Sequence, residues 1–255
     1  MKNLKLPLLF LFLPLITFGQ TTEGTIRYLE SIKIEVELPE GHEHLKDLIP
    51  TSNDREKVLH FTPTESMYQD ENKADDTQDI AQNTGDMNVQ VKVVSGSSED
   101  KLYKNETTNQ WIDQRDFMGK LFLIKGAVEP YQWKITQEQQ SILGYQCQKA
   151  VYRQADAEII AWFTPQIPVP NGPDRYGQLP GMILAVSAGA GKQTITATHI
   201  DLATIDRNVL TPPKKGKKVT RSEFQKIQEK KLAEMGANEG GTTTVIRMDV
   251  DDRGR

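Results

Sequence analysis

Between Gly24 and Leu38 the apolar residues Ile26, Tyr28, Ile32, Ile34, Val36 and Leu38 fall on even positions, with Arg27, Lys33, Glu35 and Glu37 between them. A period of two puts one face of a strand on a core and the other in water, so this stretch predicts a long half-buried strand. Glu30 interrupts the apolar row, and a bulge or bend is expected there. Short runs rich in β-branched and aromatic residues predict further strands at Glu56 to Thr62, Val89 to Val94, Asn109 to Asp113, Gly119 to Lys125, Tyr131 to Thr136, Gln146 to Arg153, Glu158 to Thr164, Met182 to Ser187 and Gln193 to Asp201. Amphipathic stretches of helical length are missing between most of them. Parallel strands need such crossovers, so the expected fold is mainly β: a curved antiparallel sheet or half-barrel with a short C-terminal helix.

Two segments depart from the strand pattern. Gln69 to Asp86 carries Asp70, Glu71, Asp75, Asp76, Asp79 and Asp86 with almost no large apolar residue, which reads as a solvated, mobile insertion. A calcium loop needs regularly alternating ligands and a closing glutamate, and neither is there. After Pro212 and Pro213, the lysines Lys214, Lys215, Lys217 and Lys218 form a stiff basic linker. Thr220 followed by Glu223 is a capping box for a helix to about Met235, with Phe224, Ile227, Leu232 and Met235 as its apolar stripe. That helix either packs on the sheet or meets a partner or an anionic surface. Beyond Gly236, Val245 and Ile246 suit either an edge strand or a frayed end.

The N-terminus divides the chain further. Lys2 and Lys5 precede an apolar run from Leu6 to Ile16, then Thr17, Phe18 and Gly19, the order of an export signal cut before Gln20. The run is too short to span a bilayer, which takes about twenty residues, and no cysteine near the cut is available to carry a lipid. The expected organisation is a signal peptide at 1–19, a β-rich domain at 20–205 with the acidic insertion at 69–86, and linker, helix and flexible tail at 206–255. The mature chain is then exported, to the periplasm or outside, without lipid anchor or integral span.

Loss of Lys2 and Lys5 leaves 29 basic against 35 acidic side chains, a balance that does not attract nucleic acid. The single cysteine, Cys147, closes no internal disulfide, so stability must come from a packed core. Glycine-rich phosphate loops, nucleophile elbows and paired-cysteine metal motifs are all missing. His42 and His44 follow the turn formers Pro39 and Gly41 and read as surface histidines; with His60 and His199 they complete the histidines of the chain. Cys147 starts a strand with Lys149 on the same expected face, and reads as a buried structural thiol.

Ala161 to Leu184 is the densest stretch. Trp162 and Phe163 end a strand; Pro165, Pro168 and Pro170 follow; Asn171, Gly172 and Pro173 form one turn, and Leu179, Pro180 and Gly181 another before Met182 to Val186. Prolines and glycines at that density cannot enter a central ladder, so the segment is a conformationally fixed excursion between two strands. YGQLPGMIL at 176–184, preceded by AWFTPQIPVPNGP and GYQCQKA, resembles the GLPGLI family of exported bacterial envelope proteins, and the likeness runs from about Gly24 to Ile200. Gln178 stands in place of the motif's first glycine, Met182 in place of a leucine, and Asp174 where an aromatic is expected. The loss of glycine at 178 predicts a different local turn, whereas Met182 is a volume-conserving exchange. The resemblance implies export and a β-rich domain and brings neither catalytic residues nor substrate. The motif residues Trp162, Pro165, Pro168, Gly172, Pro173, Leu179, Pro180 and Gly181, with Cys147, are the candidate structural or binding set, and no cofactor or metal is expected.

These features point to a non-enzymatic envelope protein that binds an apolar ligand on a concave sheet face or an envelope partner protein. The alternatives are a structural or assembly factor, and an enzyme whose polar site is assembled from distant strands.

Overall fold

The computed structural model describes residues 22–34, 50–71, 77–84, 87–94, 99–128, 130–154, 157–238 and 245–247. The export segment, His42, His44, Val36 and Leu38 lie outside them. Fifteen strands are assigned among the described residues: β1 Gly24–Lys33, β2 Ser52–Phe61, β3 Glu65–Asp70, β4 Thr77–Thr84, β5 Met87–Val94, β6 Lys101–Asn105, β7 Gln110–Phe117, β8 Lys120–Ala127, β9 Lys134–Ile142, β10 Tyr145–Gln154, β11 Ala157–Thr164, β12 Met182–Ala188, β13 Gln193–Asp201, β14 Lys217–Val219 and β15 Val245–Arg247. The one helix among the described residues is α1, Arg221–Asn238. It is not long and apolar enough to cross a membrane.

Twelve strands make one open sheet in the order β14-β8-β7-β6-β3-β2-β1-β13-β12-β11-β10-β9, and β15-β5-β4 make a small second one. The large sheet is antiparallel except where β14 runs parallel to β8. The fold expected from the sequence, a mainly β and mostly antiparallel sheet, is thus the one found. Connectivity forces its curvature. Strands β8 and β9 stand ten places apart, about 48 Å across a flat sheet at roughly 4.8 Å per strand. Residues 128–133 join them, a reach of about 24 Å at most. The sheet therefore bends until its ends approach, and the joining residues become a strap between them.

Register explains the core. Ile26 faces Leu59, Leu59 faces Tyr68, and Tyr68 faces Leu102, one apolar row across four strands on the hollow side. A second cluster, Met67, Tyr103 and Leu210, lies on the opposite face under a single 3-10 turn at Arg207–Leu210. Strands β3 and β6 are covered on both faces there, which is why neither shows the alternation that reveals a half-buried strand.

Several expectations are corrected. Glu30 makes no bulge: it faces inward, 9 % exposed, and Gln193 Nε2 donates to its Oε1 at 2.7 Å. The register slip of β1 lies between Arg27 and Tyr28, against β13. Tyr131 and Trp133 belong to the strap, with β9 starting at Lys134. The acidic stretch begins inside β3, where Asp70 pairs with Lys57 at 2.6 Å, and β4 lies within it. It is nevertheless an excursion from the main sheet, because β3 pairs directly with β6. At the C-terminus, Lys217–Val219 joins the main sheet, and Val245–Arg247 pairs parallel with β5. The capping box forms as expected: Glu223 N donates to Thr220 Oγ1 at 3.2 Å and Thr220 N to Glu223 Oε2 at 2.7 Å. Phe224 stacks edge-on against Phe122, holding α1 to the sheet.

Candidate functional site

The proline-rich excursion between β11 and β12 lies in the hollow of the sheet. Its residues alternate: Ile167, Val169 and Asn171 are fully buried, while Pro165, Pro168 and Pro170 face solvent. The backbone says why. Val169 N donates to Ile167 O and Asn171 N to Val169 O, both at 2.8 Å, and Gly181 N donates to Leu179 O at 2.7 Å. Each bond closes a three-residue γ-turn with a proline, Pro168, Pro170 or Pro180, at its apex. The inverse γ-turn needs a central φ near −75°, which the pyrrolidine ring already imposes. The prolines thus set the turns and push their rings outward, while the residues between them fill the hollow.

The excursion is pinned along its length. Met182 N donates to Ile167 O and Ile183 N to Asn171 O, both at 2.9 Å, and Gln178 N to Pro170 O at 3.0 Å. Gly181 has no room for a side chain, since a Cβ there would lie 2.1 Å from Thr164 O; at Gly172 it would lie 2.8 Å from Ile183 Cβ. Gln178 adopts φ +66°, so the left-handed turn of a glycine is kept despite the substitution, contrary to the expectation of a different turn. Its side chain adds a contact that glycine lacks: Tyr131 N of the strap donates to Gln178 Oε1 at 2.9 Å. Asp174 is also left-handed, φ +48°, and 6 % exposed.

Donors on distant elements satisfy the buried carbonyls of the excursion and of β12. Lys104 Nζ, on β6, donates to Gly172 O at 2.9 Å and Tyr176 O at 3.1 Å. Trp133 Nε1 donates to Gly177 O at 3.0 Å, and Tyr28 OH to Ile183 O at 2.7 Å. Arg175 Nη2 meets Asp113 Oδ2 on β7 at 2.7 Å, and its guanidinium lies 4.5 Å from the Trp111 ring centroid. Tyr131, Trp133, Tyr152 and Tyr176 pack together over this end of the hollow.

Charge converges here, away from Cys147. Asp113 also accepts from Arg115 Nε at 2.9 Å, and Asp100 accepts from Asp116 N at 2.7 Å. Burial raises the Asp100 carboxyl to about 6, against the opposing pull of Arg115. Tyr68 is pushed well above 10 by burial and by the carboxylates Glu30, Asp174 and Asp70, so its hydroxyl keeps its proton. Asp113 is committed to two arginines, one of them on the excursion, an arrangement suited to holding that segment in place.

The candidate thiol fits the structural reading. Cys147 is 1 % exposed within the core, and burial pushes it up to about 11. A register slip between Gln148 and Ala150 breaks the alternation, and the Lys149 ammonium sits on Glu138 at 3.0 Å. The expectation that Lys149 faces the thiol is thus not met. Trp162, half-buried, pairs with Lys149 on β10 and Ala185 on β12. Pro173 is buried at the turn closed by Tyr176 N donating to Pro173 O, and Leu179 is buried in the core. His60 bonds Thr25 Oγ1 at 3.0 Å, its pKa lowered by burial and by Arg27. Among the described residues no group of three or more His, Cys, Asp or Glu could hold a metal ion. Most of the motif residues lie along the excursion, and the partners Lys104, Asp113, Tyr28 and Trp133 carry no local sequence signal.

Residues 153–185 match a family described as "Protein of unknown function (Porph_ging)". The matched segment runs from the end of β10 through β11 and the excursion that fills the hollow to the first half of β12. No curated protein matches the chain. Among solved structures the chain is similar to PNGF-II in space groups C2 and P21, with TM-scores of 0.52 and 0.51 at 17 % identity. The alignment covers 81 % of this chain and 33 % of that one, so this chain spans about a third of the length of PNGF-II. At that identity the likeness is one of fold.

Proposed function

We propose that this chain is an exported, non-enzymatic protein of the bacterial cell envelope, related to the GLPGLI family, that presents its rigid excursion to a partner protein. The observation that carries this reading is the division of the excursion, with apolar residues inward and the rings of Pro165, Pro168, Pro170 and Pro180 outward. A ridge of apolar rings without N–H donors suits a partner groove lined by aromatic side chains. Because the γ-turns and the pinned backbone fix its shape in advance, little ordering cost opposes binding. An apolar ligand on the concave face is less well supported, since the chain's own residues occupy that face. Export rests on the pattern of residues 1–19, and intact-mass analysis of the secreted product is expected to find Gln20 at its start. Met1 retained on a membrane-embedded product would overturn export.

For the docking face, a photo-crosslinking residue at Pro168 should give one discrete adduct in the native cells, lost on Pro165→Gln with Pro170→Gln. The same probe at exposed Thr198, on β13, should not give it. Equal adducts from both positions, or an adduct that survives the proline substitutions, refutes the docking face. Melting should fall only slightly in these variants, because each proline contributes about 0.4–1 kcal/mol through the unfolded chain.

A further inference from the structure

The basic linker is not used by the excursion, and the structure gives it a defined place. Lys214, Lys215, Lys217 and Lys218 are all exposed. Two of them lie in β14, the edge strand of the large sheet, with Lys217 opposite Phe122 and Lys218 opposite Leu123. Gly216, at φ +117°, lets the chain pass against β8 so closely that a Cβ would lie 2.8 Å from the Phe122 carbonyl carbon. The capping box of α1 follows directly. The four charges are therefore held on the folded domain rather than trailing from it.

Among the described residues no carboxylate neutralises these four lysines, whereas many cations of the sheet are paired. Arg27, Lys57, Arg115, Lys149, Arg153, Arg175 and Arg207 each have a carboxylate within 4 Å. Among the described residues none of these four lysines does. Glu223 feels Lys217, but its carboxylate is committed to Thr220. Exposed Lys120 and Lys125 of β8 flank the paired residues of the strip, Lys120 on the face of Lys217 and Lys125 on that of Lys218. The chain as a whole is acidic, net −4, so the strip is a local reversal of sign, felt within a Debye length of about 10 Å.

We propose that this strip docks the protein on an anionic phospholipid leaflet. Strongly hydrated ammonium point charges along an exposed sheet edge, without an arginine fork, fit a diffuse sheet of phosphates better than one bound anion. A lysine near such a surface is worth roughly fivefold in partition, so removing two should cost about thirtyfold.

The test is co-sedimentation of the mature chain with phosphatidylglycerol-rich vesicles and with neutral phosphatidylcholine vesicles. Binding is expected to the anionic vesicles alone, lost at high salt, and weakened about thirtyfold in Lys214→Gln/Lys215→Gln. That pair lies outside β14, so the fold should be kept; unchanged melting confirms it. The control pair Lys33→Gln/Lys134→Gln, also exposed, should change binding less than about twofold. Equal loss in both pairs, or equal binding to neutral vesicles, overturns the proposal. So does binding to soluble polyphosphate but not to vesicles. Aggregation of a Lys217→Gln/Lys218→Gln variant with vesicle binding intact overturns it too, since the lysines would then serve only to keep the sheet edge from pairing.

Discussion

Replacing Arg175 by methionine removes the charge that ties the excursion to the far half of the sheet, while the stem still covers Trp111. The Arg175–Asp113 pair is 2.7 Å apart, with side chains 9 % and 1 % exposed. Breaking so buried a pair by deleting one partner costs about 3–5 kcal/mol when the other charge is left alone. Asp113 is not left alone, because Arg115 Nε stays at 2.9 Å. The expected loss is therefore nearer 2–3 kcal/mol, or about 5–10 °C in Tm for a domain of this size. The assay is urea unfolding followed by tryptophan fluorescence, with Asp113→Asn and the double variant completing a cycle. Because one interaction links the two sites, the double variant should lose less than the sum of the single losses by about 1–3 kcal/mol. A loss under about 0.5 kcal/mol for Arg175→Met, or strict additivity, refutes the claim that this pair fastens the excursion.

Gly181→Ala should destabilise by about 3 kcal/mol or more, since its Cβ would lie 2.1 Å from Thr164 O, whereas exposed Pro180→Ala should cost about 0.5–1 kcal/mol; similar urea midpoints for the two would refute the close approach. Asp100, raised from 3.8 to about 6 chiefly by burial, binds its proton more tightly folded than unfolded, so its effect on stability is lost as pH rises from about 4 to about 6. Asp100→Asn keeps an acceptor for Asp116 N and should flatten that slope in pH-dependent unfolding; an unchanged slope would refute the assignment. Cys147, pushed up to about 11, should react with iodoacetamide only at the rate of unfolding, and rapid native labelling would restore a catalytic reading of the thiol.

What the sequence made legible was local. The alternation in β1, the apolar runs of β11, β12 and β13, and the capping box of α1 are set by neighbours within a few residues, and each lies about where the pattern placed it. Strands β3 and β6 escaped because the turn at Arg207–Leu210 covers their outer face, so ESMYQD and KLYKN show no polar alternation. Glu30 looked like a break in the pattern because its partner, Gln193, lies on another strand. Gln178 shows the limit of reading a residue by its type alone. Its left-handed backbone is strained for a side chain, but the bond from Tyr131 N to its amide oxygen gives that side chain a place.

The same distinction between local and distant partners divides the excursion from its donors. A sheet whose twelve strands curve without closing leaves a hollow, and filling it with the chain's own backbone takes carbonyl groups out of water. Buried carbonyls need donors. Here they come from Lys104, 68 and 72 residues from the carbonyls it serves, from Trp133, 44 residues from Gly177, and from Tyr28, 155 residues from Ile183. The acceptors form one contiguous segment because the excursion must be contiguous to thread the hollow. The donors are scattered because any strand facing the hollow can supply one. The family match, residues 153–185, contains the acceptor half of the device. A search for further chains of this kind should pair that motif with a buried lysine and a tyrosine on upstream strands and a tryptophan just before the two-stranded hairpin, β9 and β10, that precedes the motif.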